Sequence, residues 1–125
     1  MRYLCLIHLN EQELGALPAR DASELNARHL DLNDELRHSG NFIAAEALEP
    51  ARTTKCVRLR SGKVSVTDGP YIESKEMVAG FYLLEARDLD EAIELAARLP
   101  SASLGTVEVR PARQLHVDGR VPRWG

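Results

Sequence analysis

The chain has 125 residues and a net charge of −3. Its composition is 44% apolar and 28% charged, with acids and bases interspersed. These values predict one folded domain with a real core. They exclude wholesale disorder and offer no basic face of the kind that nucleic-acid binders carry.

The first run, Tyr3 to Leu9, is short and mostly apolar and predicts a central strand buried on both faces. It is too short for a signal peptide or a membrane span, which points to a cytoplasmic protein with no membrane partner. His8 closes the run, either as a solvated strand-end histidine or as a site residue. Cys5 and Cys56 lie far apart within apolar runs and are expected to be free thiols.

Residues 10–20 are polar, contain Gly15 and Pro18, and predict a loop. Asp21 and Glu24, three apart, resemble a capping box at the start of a helix. That helix should end near Ser39, with Gly40 as its terminator. Leu25, Leu32 and Leu36 form its apolar stripe, and His29 falls on the same stripe, so it should face the sheet. Such a histidine is either satisfied within the core or placed as a general base.

Asn41 to Leu48 predicts a second strand. Two alternating runs follow, Thr54–Arg60 and Lys63–Thr67, and the Ser61-Gly62 pair between them is a hairpin signal. Arg58, Arg60 and Lys63 make a small basic patch, either solvated or able to hold a carboxylate. Next comes a loop with strong turn chemistry, Thr67-Asp68-Gly69-Pro70-Tyr71-Ile72-Glu73-Ser74-Lys75-Glu76. Val78–Ala86 predicts another strand, with Gly80 allowing a close backbone approach or a bulge. One ring of the Phe81-Tyr82 pair must face the helices and the other the opposite side. Asp88 and Glu91 cap a helix, 89–99, expected to bury Leu89, Ala92, Ile93 and Ala96. Thr106–Arg110 is the last strand, with Glu108 facing away from Val107 and Val109. In the tail, 112–125, Val117, Val121 and Trp124 suggest docking on a body.

The order β-α-β, hairpin, β-α-β predicts an α+β two-layer sandwich, most simply ferredoxin-like. Helices then cover one face of the sheet. The other would carry Phe42, Val57 or Val64, and Phe81 or Tyr82, which calls for a second copy.

The loop also carries a resemblance. Asp68-Gly69-Pro70-Tyr71-x-Glu73-Ser74-Lys75-Glu76, then Gly80-Phe81-Tyr82 and Val107-Glu108-Val109-Arg110-Pro111, resembles the DGPF branch of the YCII-related family, with Tyr71 for the usual Phe and Ser74 for Thr. The likeness runs over residues 1–111 and implies a dimeric α+β barrel. It also implies a His-Asp pair as acid–base machinery, as in a branch similar to dehydrochlorinases acting on chlorinated hydroquinones. His29 takes the family's histidine position, and Asp68 is the chosen carboxylate. Tyr71, Glu73, Lys75 and Arg110 would bind the ligand, in a pocket between sheet and helix with the loop at its mouth. The resulting expectation is a cofactor-free lyase-like enzyme on a small polar or aromatic molecule. The alternative is a regulatory module, because genes of this branch often neighbour genes for extracytoplasmic-function sigma factors, which makes a sigma factor a candidate partner. A monooxygenase of the same barrel type would share the fold, but no matching motif is present. His8, His29, His38 and His116 show no metal-ligand spacing, so no metal is expected.

Overall fold

A computed structural model describes residues 1–115 and 119. The expectations for His116, Val117, Val121 and Trp124 lie outside the described residues. Strands β1 (Arg2–Leu9), β2 (Phe42–Ala47), β5 (Met77–Glu85) and β6 (Thr106–Pro111) form one sheet in the order β2-β5-β1-β6. Every neighbouring pair is antiparallel. Helix α2 (Ala19–Ser39) joins β1 to β2, with β5 lying between them. Helix α3 (Leu89–Ala97) joins β5 to β6, with β1 between. Strands β3 (Lys55–Arg60) and β4 (Lys63–Asp68) form a separate two-stranded ribbon.

The period of two along β1 sorts the molecule into layers. Tyr3, Cys5, Ile7 and Leu9 are buried under the helices, where Leu32, Leu36, Leu84, Ala92, Leu95 and Leu99 close the core. Burial pushes the Cys5 thiol up to about 11, so it stays protonated and unreactive; both cysteines are free, as expected. Leu4, Leu6, Phe81 and Leu83 lie on the opposite, helix-free face and are only half-buried, so β1 is fully buried on one face and not on both as expected.

Several local expectations hold, and others need correction. Gly40 ends α2 at φ 82°, and the Asn41 amide donates to the Leu36 carbonyl at 2.9 Å. The other end of α2 differs: it starts at Ala19 behind Pro18, so Asp21 lies within the first turn and does not cap. Proline can occupy that place because the first helical amides need no partner inside the helix. Residues 10–20 are not all loop. Asn10 accepts from the Glu13 amide and caps a short helix, α1 (Glu11–Gly15). Asp88 caps α3 as read, accepting from the Glu91 amide at 2.9 Å. Leu89 and Ile93 are exposed, however, and Leu95 fills the core beside Ala92 and Ala96.

Phe42 is not on the open face. Register with Leu84 turns it to the helix side, under the Arg37 guanidinium at 4.4 Å and edge-on to Tyr82. Of the two rings left open by the alternation, Tyr82 is the buried one and Phe81 the outward one. Val57 and Val64 are on neither face of the main sheet, because their ribbon stands apart from it. Its two-residue turn has Ser61 at φ 49° and Gly62 at φ 74°, the left-handed pair that a primed hairpin turn requires. Gly80 makes a close approach: a Cβ there would meet the Glu46 carbonyl oxygen at 2.8 Å.

Candidate functional site

The Asp68–Glu76 loop is fixed at both ends. Gly69, at φ 96°, turns the chain out of β4, and its amide donates to the Thr54 carbonyl at 2.8 Å. At the far end the Ser74 hydroxyl donates to the Glu76 carbonyl. The Glu76 carboxylate accepts from the Thr106 hydroxyl at 2.8 Å, which ties the loop to the start of β6. Between these anchors Tyr71 and Ile72 stand exposed.

The loop walls a cleft of about 640 Å³. Pro70, Tyr71, Ile72, Ser74 and Glu76 line it from the loop, Met77 and Val78 from the start of β5, and Leu48, Glu49, Ala51, Thr53 and Thr54 from the stretch between β2 and β3. The volume suits a small organic ligand, and the lining is mostly apolar with a few polar groups. No residue of α2 or α3 borders this cleft, so it is not the expected pocket between sheet and helix.

His8 lies on this wall. It is on the face of β1 turned away from the core, and its side chain is a quarter exposed. Its Nε2 is 2.9 Å from Glu108 Oε1, one step diagonally across the β1–β6 ladder. Among the described residues its Nδ1 has no hydrogen-bond partner, leaving one ring nitrogen for a ligand. Strand β6 can come this close because residue 105 is glycine: a Cβ there would stand 2.1 Å from the His8 carbonyl oxygen.

The second histidine of interest is on the other side of the sheet. His29 is half-buried and bonded at both ring nitrogens, Nδ1 to the Tyr82 hydroxyl at 2.9 Å and Nε2 to Ser101 Oγ at 2.7 Å. The Tyr82 hydroxyl gives its one proton to Asn33 Oδ1 at 2.5 Å, so it accepts from His29 Nδ1–H, and Nε2 accepts from Ser101. A neutral imidazole satisfies both neighbours. Burial, reinforced by the Arg28 charge, holds the His29 pKa below the usual histidine value.

The sign of the resulting pH effect follows. The unfolded chain takes up this proton near pH ~6.5, while the folded chain resists it until lower pH. Stability contributed by neutral His29 is therefore complete above about pH 6.5 and declines as the pH falls below it. Urea midpoints measured from pH 7.5 to 5.5 should fall more steeply for wild type than for His29→Gln. Equal slopes would show that His29 titrates alike in both states.

Asp68 does not meet His29. It sits at the end of β4, largely exposed, with Lys55 Nζ at 2.5 Å across the ribbon, while both His29 nitrogens are taken by hydroxyls. The expected His29–Asp68 pair is therefore not formed, because the strand end that carries Asp68 belongs to the separate ribbon and not to the sheet beneath α2. Of the other expected site residues, Tyr71 borders the cleft. Glu73 and Lys75 occupy the same loop with exposed side chains off the wall, and Arg110 is exposed on β6, level with Leu4. The sequence marks His8 and Glu108 singly but not as a pair, since only the β1–β6 register brings them together. Leu48, Glu49, Ala51, Thr53 and Thr54 lie at and between the ends of two strand-like runs, where no motif marks their place on the wall. Among the described residues no cluster of three His, Cys, Asp or Glu could hold a metal ion.

Three comparisons bear on this arrangement. An uncharacterised protein of Rhizobium meliloti (strain 1021) is 33% identical over 105 residues, covering 82% of this chain and 78% of that one. Among solved structures, the 5-chloro-2-hydroxyhydroquinone dehydrochlorinase of Burkholderia phenoliruptrix AC1100, in complex with 2,5-dihydroxybenzoquinone, superposes with a TM-score of 0.54 over 90% of this chain and 94% of that one. At 16% identity, that likeness speaks to the fold. The YCII-related domain matches residues 1–116, and on that match the chain belongs to the YCII-related family.

Proposed function

We propose that this protein binds a small polar or aromatic molecule in the cleft beneath the Asp68–Glu76 loop and moves a proton on it through His8. One observation carries this reading: a histidine held by a carboxylate stands on the wall of a cleft of ligand size, with one ring nitrogen uncommitted among the described residues. Glu108 would orient the ring, and Glu76 and Tyr71 would fix the ligand's polar groups. The dehydrochlorinase with the similar fold holds a dihydroxybenzoquinone, which makes hydroxylated rings the first ligands to try. Elimination or lyase chemistry would need only the acid–base pair.

The strand order and the crossing connections support a ferredoxin-like reading. The half-buried apolar face of Leu4, Leu6, Phe81 and Leu83 supports pairing of two copies sheet to sheet, as a dimeric α+β barrel. A second reading, a ligand-responsive regulatory module without chemistry, takes support from the closed His29 network, in which hydroxyls and not a carboxylate hold both ring nitrogens. A sigma factor would then be its partner.

The test is a ligand titration followed by NMR, using hydroxylated quinones and hydroquinones. Binding should shift His8 and the Tyr71–Glu76 amides, and His8→Ala should weaken it by about tenfold or more, the worth of a charge-assisted hydrogen bond. Loss of turnover with binding kept would identify His8 as the acid–base group. Ligand shifts confined to the His29 side of the sheet would overturn the assignment of the site.

A further inference from the structure

The stretch between β2 and β3 that lines the cleft is anchored at both of its ends. The Leu48 amide donates to the Ala79 carbonyl at 2.9 Å, and the Thr54 carbonyl accepts from the Gly69 amide at 2.8 Å. Between these ends lies a 3-10 turn, Ala51–Thr53, closed by the Thr53 amide on the Pro50 carbonyl at 2.9 Å. The first amides of such a turn find no partner inside it. The residue ahead is Pro50, whose side chain offers no acceptor to cap them.

The acceptor comes from far off in the chain. The Ala51 amide donates to both carboxylate oxygens of Glu11, at 3.1 and 3.2 Å, in a partly buried contact. Glu11 is the first residue of α1 and follows soon after His8. Asn10 fixes the start of that helix by accepting from the Glu13 amide at 3.0 Å, and Leu14 packs the helix on the core. The run from His8 to Leu14 therefore carries the cleft histidine and also grips another part of the cleft wall. Glu11 itself does not border the cleft, so it acts on a ligand through Ala51.

We infer that Glu11 is a positioning residue of the ligand site, whose carboxylate holds the Ala51–Thr54 wall in place relative to His8. The inference rests on the cleft reading above and adds a residue to it. Hydrogen bonds to a charged acceptor are stronger than those to a neutral one. Without this one the wall loses the anchor at its middle, and a smaller share of molecules holds the cleft in its binding shape. The apparent affinity for a ligand falls by the same factor.

Two NMR measurements on the full chain test this: amide hydrogen exchange without ligand, and titration with the hydroxylated quinones and hydroquinones tried above. Glu11→Ala should speed exchange at the Ala51 amide by about tenfold or more while the β1 and β5 amides keep their rates. It should weaken binding by about tenfold. The bound ligand should still shift His8 and Tyr71 but no longer the Ala51–Thr54 amides, a pattern that general loss of stability does not produce. Glu11→Gln retains an acceptor oxygen and should restore most of the binding. Glu13→Ala removes an exposed acid from the same helix and should behave as wild type. Equal Ala51 exchange in wild type and Glu11→Ala would overturn the clamp. Faster exchange with unweakened binding would overturn the positioning role and leave the cleft reading standing. A wild type that binds none of these compounds would overturn the cleft reading and the positioning role with it.

Discussion

Gly105→Ala is expected to destabilise the fold by about 3 kcal/mol, the upper end of what overpacking costs. The added Cβ would meet the His8 carbonyl oxygen at 2.1 Å and Leu9 Cδ2 at 2.8 Å. The leucine terminus could turn aside. The carbonyl is part of the central strand and cannot move without disturbing its pairing with β5 and β6. For a chain of this length the loss corresponds to a fall in Tm of about 10 °C. It should also disturb function, because the strand that must shift carries His8, and a displaced His8 loses its 2.9 Å contact with Glu108. Urea unfolding gives the stability, and the His8 ring resonances report the pair. Gly15→Ala is the control: a Cβ there meets nothing within 4 Å, so its stability should be unchanged or slightly higher. Equal midpoints for the two variants would mean that β6 does not lie this close to β1.

The sequence makes the fold legible wherever one periodicity dominates. Strands β1, β5 and β6 and helix α3 each fall within one or two residues of the expected bounds, because each buries one clear face. The Ser61-Gly62 turn is legible for a local reason, that only certain residues tolerate left-handed backbone at two successive positions. The site is less legible. Loop Asp68–Glu76 is recognisable as a loop from its turn chemistry, but which histidine it lies near depends on where the ribbon stands. Periodicity fixes the face of His29 correctly and says nothing of its partners, which come from β5 and from the 3-10 turn Pro100–Ser103, 53 and 72 residues away. His8 and Glu108 each sit on the strand face turned away from the helices, where partial exposure is the ordinary outcome. Only a register fixed by the whole sheet makes them a pair.

Tyr82→Ala should be the most damaging of the substitutions considered, and Tyr82→Phe shows why. The ring is 3% exposed, packs edge-on against Phe42, and belongs to the central layer of the core. Its loss creates a cavity that costs about 3–5 kcal/mol. The hydroxyl has separate work. It stays neutral across ordinary pH, since burial pushes its pKa up to about 12, with Arg37 opposing the shift. It accepts from His29 and donates to Asn33, so removing it alone leaves two half-buried polar groups without a partner. That omission should cost about 1–3 kcal/mol, and Tyr82→Ala should suffer both losses together. Imidazole nitrogen shifts of His29 give an independent readout: without the Tyr82 oxygen to accept from Nδ1–H, the tautomer should no longer be held to one form. Ligand binding separates this network from the cleft. The network is on the helix side and the cleft is bordered by neither helix, so Tyr82→Phe should bind ligand as wild type does while losing stability. A Tyr82→Phe protein as stable as wild type would show that the hydroxyl chain is not what holds His29. One that was stable but no longer bound ligand would return the chemistry to His29 and its side of the sheet.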